Sequence, residues 1–238
     1  MTLLRPHTGA RVATGVALAL FLVPAGAAAQ TGGAAPPAPG AAPVQSDPGF
    51  VLSSKRSTFV GRALSVKGTV AGASAGVPIT LQADDGTGFA PVASAATDDQ
   101  GSFRVTWTPP SAGRFKVRAV VDPAAAGQAG ASRTSGAREV TVYAPTKATW
   151  YGPGFYGNRT ACGERLTRST QGIAHRTLPC GTQVAISYKG RSVTVPVIDR
   201  GPFANGADVD LAGATAKRLG VNATVRVGLV ELDEPAAP

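Results

Sequence analysis

The chain has 238 residues, a formal net charge of +9, 30 glycines, 19 prolines and only 2 cysteines. This length allows one large domain or two small ones, and so much glycine and proline favours turns over long helices. The positive charge is spread along the chain without the lysine and arginine runs typical of nucleic-acid binding, so no nucleic-acid partner is expected. We therefore predict a mostly β protein.

Residues 1–29 have the pattern of a secretory signal peptide. Arg5 and Arg11 precede an apolar run over residues 12–23, and small residues follow up to Ala29. The run is shorter than the roughly 20 apolar residues that a membrane span needs. We expect an exported protein without a span after cleavage. Residues 30–49, which consist mainly of Pro, Ala, Gly and Gln, are predicted to be a disordered linker.

Residues 50–144 alternate short apolar runs with turn signals, a pattern typical of a β-sandwich. Strands are predicted over residues 63–70, 77–82, 89–95, 102–107, 115–121 and 138–143. The segments at 76–82, 97–103 and 113–119 resemble those of bacterial immunoglobulin-like modules. That resemblance implies a spacer or adhesion module, through which the protein contacts a partner in the cell envelope.

A boundary at Ala144-Pro145-Thr146 separates this module from a second domain over residues 147–232. Two strands at 182–188 and 192–199 are joined by a hairpin signal at Lys189-Gly190-Arg191. A short helix is predicted over residues 210–220, with Asp210 as its N-cap and Gly220 after its end. A closing strand covers residues 223–232, and residues 233–238 are expected to be a flexible tail.

Five short motifs of the second domain contain most of its chemically active side chains: 148–152 (ATWYG), 160–166 (TACGERL), 174–179 (AHRTLP), 199–203 (DRGPF) and 210–211 (DL). Together they resemble the rare lipoprotein A (RlpA)-like lytic transglycosylase family. The resemblance covers residues 147–232 and implies a six-stranded double-psi β-barrel with an open groove for a glycan strand. The whole chain is then an all-β protein, a sandwich followed by a barrel with one short helix.

The same resemblance implies the activity. It predicts a secreted, cell-envelope enzyme that cleaves the MurNAc–GlcNAc linkage of peptidoglycan and leaves 1,6-anhydro-muramyl ends, without a cofactor. The family's functional positions fall on Asp199, His175 and Glu164. We expect Asp199 to act as acid and base, His175 to orient it or stabilise charge, and Glu164 to tune it or hold sugar hydroxyls. The predicted substrate-binding residues are Asp210, Tyr151, Phe155, Tyr156, Arg200 and Phe203.

Strand periodicity supports the role of Asp199. Val193, Val195, Val197 and Asp199 have the same parity, so in a regular strand the carboxyl continues the face that the valines bury. Burial disfavours the charged form of a carboxyl, as a general acid at neutral pH requires. Pro196 removes a backbone donor and marks a place where a bulge would break this periodicity.

Each assignment has a structural alternative. Asp199 also suits a turn before Gly201-Pro202, and Asp210 suits a helix cap better than a catalyst. His175 also suits a hydrogen-bonded bridge, and Glu164 a solvated surface position. For Trp150 we expect core packing in preference to a sugar-stacking rim.

Cys162 and Cys180 are expected to pair, because two cysteines in one compact segment of an exported protein usually form a disulfide. One nearby histidine and two paired cysteines do not supply a zinc site, so no metal is predicted. A non-catalytic, expansin-like protein that binds and loosens wall polysaccharide is the alternative function. A third possible function is that of a rigid envelope adhesion module, in which the disulfide-linked barrel is only a scaffold.

Overall fold

The computed structural model describes residues 46–121, 132–204 and 206–232, which form fourteen strands and one short helix. The predicted all-β fold with a single helix is confirmed for this part of the chain. The predicted signal peptide, residues 30–45 of the predicted linker and the tail at 233–238 lie outside the described residues. In the described ranges no helix has the length and apolar character needed to cross a membrane.

The first part of the structure is a pair of β-sheets over one core. One sheet has the strand order β1-β3-β6, and the other continues from β5 through β4 and β7 to β9 (Arg138–Tyr151), with β2 beside β9 and β8 beside β7. The bounds are β1 Phe50–Ser54, β2 Ser57–Phe59, β3 Leu64–Val70, β4 Pro78–Asp84, β5 Ala90–Ala96, β6 Ser102–Trp107, β7 Gly113–Val121 and β8 Arg133–Thr134.

Strand periodicity explains this core. In β4, Ile79, Leu81 and Ala83 are buried and alternate with half-buried neighbours, so one face of the strand points inward. Val66 of β3 and Val105 of β6 approach the same core from the opposite sheet. The six predicted strands are present, whereas β1, β2 and β8 were not predicted because they are short or border turns.

The second part of the structure is a closed, six-stranded barrel. Its strands follow the order β9-β13-β10-β12-β11-β14, and β14 pairs with β9 to complete the circle. The bounds are β9 Arg138–Tyr151, β10 Ile173–His175, β11 Gln183–Tyr188, β12 Arg191–Asp199, β13 Val209–Ala212 and β14 Val225–Leu232. Fully buried side chains from these strands, including Ile173, Ile186 and Leu211, fill its interior.

The hairpin predicted at Lys189-Gly190-Arg191 is confirmed. Strands β11 and β12 are joined by Lys189 and Gly190, with φ of 45° and 79°. Two positive φ values match the right-handed twist of the paired strands, which is why a flexible Gly is favoured there.

The predicted N-terminal cap of the helix is wrong. Helix α1 spans Gly213–Leu219, and Ala212 stands at its N-cap position without a side-chain cap. Asp210 lies instead in β13, which pairs with β9 and β10. Burial of Val209 and Leu211 in the barrel determines this, because alternating apolar residues are better buried by a strand than by the first turn of a helix. Gly220, with φ of 76°, ends the helix as predicted.

Strand β9 runs from the sandwich into the barrel without interruption. Its first residues pair with β7, and residues from Ala144 onward pair with β14. The sequence boundary at 144–146 therefore lies inside a strand. Tyr143 packs in a small apolar cluster with Phe59 of the sandwich and with Ala185, Val230 and Leu232 of the barrel.

Replacing Gly228 tests how tightly this junction is packed. A Cβ at Gly228 would lie 2.8 Å from the Cβ of Tyr143 and 2.9 Å from Cε1 of Phe59. Gly228→Ala is expected to lower the free energy of unfolding by about 1–3 kcal/mol through overpacking. At the control position Gly136, a Cβ would meet nothing within 4 Å. Chemical denaturation should show a loss for Gly228→Ala alone, and equal stability of both variants would contradict the packing argument.

Candidate active site

Four residues form a row across four neighbouring strands of the barrel. Asp199 of β12 pairs with Ala174 of β10, Ala174 pairs with Asp210 of β13, and Asp210 pairs with Thr149 of β9. All four line an open groove of about 490 Å³ on the outer face of the barrel. The two aspartates are two strand spacings apart, roughly 9.6 Å between their Cα atoms. Only the small side chain of Ala174 lies between them.

A β-bulge places Asp199 in this row. The pairing of β10 with β12 steps from Ile173 opposite Val197 to Ala174 opposite Asp199, so Ile198 is the extra residue. Val193, Val195 and Val197 are buried in the barrel as predicted, but the predicted continuation of that face to Asp199 is wrong. The bulge moves the carboxyl to the outer face, and Ile198 packs beneath it with Leu166 and Ala212.

Asp210 is the half-buried carboxyl of the groove. Burial raises its pKa, a hydrogen bond from Thr149 opposes this rise, and the charge of Asp199 adds to it. Its Oδ1 is buried without a hydrogen-bond partner. A carboxyl in these surroundings keeps its proton at higher pH than a solvated one, a property that suits a proton donor.

The backbone holds Asp199 in a fixed position. Its Oδ1 accepts hydrogen bonds from the backbone N–H groups of Ala161 and Arg200, both at 2.8 Å. Ala161 belongs to the loop that carries Cys162, whose own N–H donates to the carbonyl of Ile198. The orientation of this carboxylate therefore depends on the loop at residues 160–163.

The hydroxyl of Tyr151 lies at the same end of the groove. Burial raises the pKa of Tyr151 strongly, and the nearby charges of Asp199, Asp210 and Glu164 raise it further. The hydroxyl is buried and has no partner at ordinary hydrogen-bond distance, although Asp199 is near enough to contribute to the pKa shift. Tyr151 is therefore a neutral donor beside the two carboxyls.

His175 is directed away from the carboxyl row. Its Nδ1 accepts hydrogen bonds from the backbone N–H groups of Thr177 and Leu178, so it stabilises the turn that follows β10. Burial lowers the pKa of His175, and the charges of Arg176 and Arg200 lower it as well. The geometry matches the hydrogen-bonded bridge considered for this residue, and His175 is not among the groove-lining residues.

Arg200 holds the groove wall together. Its guanidinium donates to the carbonyls of His175 and Leu178 and to Sγ of Cys180. Cys180 forms the predicted disulfide with Cys162, with a Cα–Cα distance of 5.7 Å. Arg200 lines the groove, but these contacts occupy the guanidinium that was predicted to bind substrate.

Aromatic side chains form a rim around the groove. Trp150, Phe155 and Phe203 line it with 39%, 57% and 82% of their surface exposed. Core packing was expected for Trp150 and is wrong, because this residue lies at the open end of β9 next to the groove. Tyr156 does not reach the groove lining; its ring packs near Ile198, and Arg168 lies over it.

Six of the residues predicted for the site line the groove, and Glu164 does not. The groove contains Asp199, Asp210, Tyr151, Phe155, Arg200 and Phe203. Glu164 is exposed and does not line the groove, and its charge adds to the raised pKa of Tyr151. Sequence reasoning missed Thr149 and Ala174, because their position depends on strand register. It also missed Arg176, which donates to the carbonyls of Pro202 and Ala207 and so supports the loop carrying Phe203.

The arrangement supports acid–base chemistry. Across the described ranges, no group of three or more His, Cys, Asp or Glu side chains is suitable for holding a metal ion. What the groove does contain is a pair of carboxyls in different surroundings, a neutral phenol and an aromatic rim. Such a pair of carboxyls is suited to proton transfer. The aromatic rim is suited to binding sugars, since aromatic rings offer flat apolar faces to pyranose rings.

The comparisons with known proteins match the barrel part of the chain. Residues 143–232 match a family model described as lytic transglycolase. A probable endolytic peptidoglycan transglycosylase RlpA of Synechocystis is 48% identical over 88 residues, covering 36% of this chain and 27% of the relative. The endolytic peptidoglycan transglycosylase RlpA of Vibrio cholerae is 39% identical over 98 residues, covering 39% and 37%.

These matches concern only part of each protein, so the chain spans about a third of the length of the two relatives named here. Among solved structures, the Streptomyces papain inhibitor matches 36% of this chain and 92% of its own, with 29% identity and a TM-score of 0.29.

Removing the disulfide should loosen the groove wall. Replacing Cys162 and Cys180, which are 18 residues apart, with serine is expected to lower the free energy of unfolding by about 3 kcal/mol through the lost loop constraint. Denaturant titration of the double serine variant and of the reduced wild-type protein should show the same loss. Unchanged stability in both would contradict a structural role of the disulfide.

The raised pKa of Asp210 predicts a pH-dependent stability. Because the folded state binds this proton more tightly than the unfolded state, stability falls as pH rises from the ordinary value of 3.8 through the raised value. Asp210→Asn removes this loss and is expected to stabilise the protein by about 0.5–1 kcal/mol at neutral pH, since solvent already screens part of the charge that disappears. Thermal unfolding across this range tests it: parallel pH profiles of variant and wild type would contradict the expectation.

Proposed function

We propose that this chain, whose residues 143–232 form an RlpA-like double-psi β-barrel, is an endolytic peptidoglycan lytic transglycosylase. The carboxyl row in the groove is the single observation on which the proposal depends. The names of the relatives supply the substrate class, since both are described as acting on peptidoglycan. The groove of this chain supplies the chemistry.

The reaction requires two proton transfers, first from a carboxyl and then back to the same carboxylate. The donor protonates the glycosidic oxygen as the bond between this oxygen and the anomeric carbon of the muramyl residue breaks. The 6-hydroxyl of the same residue then attacks that carbon, closes the 1,6-anhydro ring and returns its proton to the carboxylate. No water is consumed, so this chemistry needs no second carboxyl to activate water. A glycoside hydrolase, in contrast, generally uses two carboxyls.

We assign the proton to Asp210 and the charge stabilisation to Asp199. Asp210 has the raised pKa and the unpartnered oxygen, whereas Asp199 is fixed by two backbone donors. Positive charge develops on the sugar ring as the bond breaks, and a carboxylate held beside it stabilises that charge. This assignment revises the sequence-based hypothesis in which Asp199 alone acts as acid and base.

The surroundings of the row fit a glycan chain. Trp150, Phe155 and Phe203 offer exposed rings at the edge of an open groove. An open groove admits the middle of a strand, in agreement with internal cleavage. The glycan rings are expected to stack on these side chains, because aromatic faces bury the apolar faces of sugars.

The proposed location is the cell envelope, after secretion. The signal pattern at residues 1–29 and the disulfide between Cys162 and Cys180 both favour an oxidising compartment. We assign the sandwich to the immunoglobulin-like modules, as a spacer that contacts another envelope component. Secretion of a reporter fused after residue 29 would test the first assignment.

The proposed reaction predicts a specific product. Purified sacculi digested with the wild-type protein should release muropeptides that are lighter by one water than hydrolysis products, as detected by mass spectrometry. Asp199→Asn and Asp210→Asn are each expected to reduce release by about a hundredfold or more, because one loses the charge and the other the proton donor. The control Glu231→Gln removes an exposed acid of β14 outside the groove and should leave the rate unchanged.

The possible outcomes separate the function classes. Binding to sacculi without new chain ends would favour the non-catalytic, expansin-like alternative. Products with ordinary reducing ends would identify a hydrolase. Thermal unfolding checks that both Asn variants are folded, and full activity of either variant would refute its assigned role.

A further inference from the structure

An open cleft lies on the outer face of the β1-β3-β6 sheet of the sandwich. Its volume is about 610 Å³, and none of the described residues that line it belongs to the barrel. Two rows of the strand register cross all three strands and form its floor. The rows are Ser53, Lys67 and Arg104, and Val51, Thr69 and Ser102. We call it the sheet cleft.

Two cations face each other in the first of these rows. Lys67 and Arg104 are directly opposite in the pairing of β3 with β6, and both are exposed. Side chains in directly opposite positions have Cβ atoms roughly 5 Å apart, and like charges placed there destabilise a sheet. The sandwich therefore keeps two positive charges together although their repulsion opposes folding.

Neither cation has an acidic partner. Among the residues that the structure describes, Lys67 and Arg104 belong to no ion pair. Asp98 is the one acid in the described lining of the sheet cleft. Its Oδ1 accepts hydrogen bonds from the backbone N–H groups of Gln100 and Ser102, at 2.9 and 2.8 Å, so this carboxylate holds the turn before β6. The positive charge of the row is thus left for a ligand.

The outer face of the other sheet has the opposite arrangement. Lys116 of β7 lies between Asp84 of β4 and Glu139 of β9 in the strand register. Acids flank the cation there, so the charges of that face balance locally. The facing cations are therefore a property of the sheet cleft and not of the sandwich as a whole.

We propose that the sheet cleft binds a phosphodiester group of an anionic polymer of the cell envelope. One such group between Lys67 and Arg104 relieves their repulsion and accepts hydrogen bonds from both, because phosphate oxygens suit the planar donors of Arg and the ammonium of Lys. Ser53, Thr69 and Ser102 also line the cleft, and their hydroxyls supply neutral donors.

The open shape of the sheet cleft favours the middle of a chain over a chain end. In a phosphodiester polymer the charged group is part of the backbone, and the chain continues on both sides of it. Val51, with 60% of its surface exposed, offers an apolar contact to the carbon atoms between successive phosphates. A polymer with carboxylates carries its charges on side groups, and the test below separates the two.

The proposal goes beyond the catalytic function and does not depend on it. The sheet cleft and the catalytic groove share no lining residue. A sandwich bound to an envelope polymer holds the barrel near its substrate at high effective concentration, which gives the predicted spacer a chemical partner.

Calorimetry with a short poly(glycerol phosphate) tests the binding of the full chain. Lys67→Gln/Arg104→Gln is expected to lower the affinity about tenfold, because two charge-assisted contacts are lost. The control Arg114→Gln/Lys116→Gln removes the same charge from exposed positions outside the cleft and should keep the wild-type affinity. Added salt should weaken binding to the wild-type protein, because exposed charges are screened.

A charge reversal separates loss of the site from loss of the fold. Lys67→Glu places a carboxylate opposite Arg104 and replaces repulsion with attraction. Binding should be lost, whereas the thermal unfolding temperature should be at or above the wild-type value. A clearly lower unfolding temperature would contradict the repulsion from which the site is inferred.

Three binding results would overturn the proposal. They are an equal loss of affinity in the control pair, wild-type affinity of Lys67→Gln/Arg104→Gln, and equally tight binding of polygalacturonate, whose charges are carboxylates. Turnover is assayed separately on sacculi freed of phosphate polymers, where Lys67→Gln/Arg104→Gln should have the wild-type rate. A failure of turnover in the wild type refutes the proposed function, whereas the sheet cleft is judged from binding alone.

Discussion

The site depends on one irregularity in strand pairing, the bulge at Ile198. Without it, Asp199 would continue the face of Val193, Val195 and Val197 into the barrel interior, where a carboxylate has no partner and no access to substrate. With it, the carboxyl lies on the outer face in line with Asp210. Burial of Ile198 beneath the groove stabilises the bulge, because this extra side chain has its own apolar site.

Around this bulge, the neighbouring loops hold the carboxyl of Asp199 in position. The N–H of Ala161 donates to Asp199 from a loop that the disulfide connects to Cys180. Arg200 donates to Sγ of Cys180 and to the carbonyls of His175 and Leu178. His175 in turn accepts backbone donors of that turn. Residues far apart in the chain thus act together to hold a charged oxygen in a fixed place at the edge of solvent.

Strand β9 unites the two halves of the structure. Because one strand pairs with β7 of the sandwich and with β14 and β13 of the barrel, the sheets cannot turn freely about a linker. The apolar cluster around Tyr143 adds to this constraint. The same strand contributes Thr149 to the groove and Pro145 to a second cleft at the edge of the sandwich.

The sequence by itself determined what depends on local chemistry: the alternating strands, the hairpin at Lys189-Gly190, the end of the helix at Gly220, and the groove residues within recognisable motifs. It did not reveal that Asp210 lies in a strand, that Asp199 faces outward, that Trp150 is exposed, or that Thr149 and Ala174 complete the row. Register decided these points. A pairing partner dozens of residues away sets which face a side chain occupies, and only the folded barrel brings those partners together.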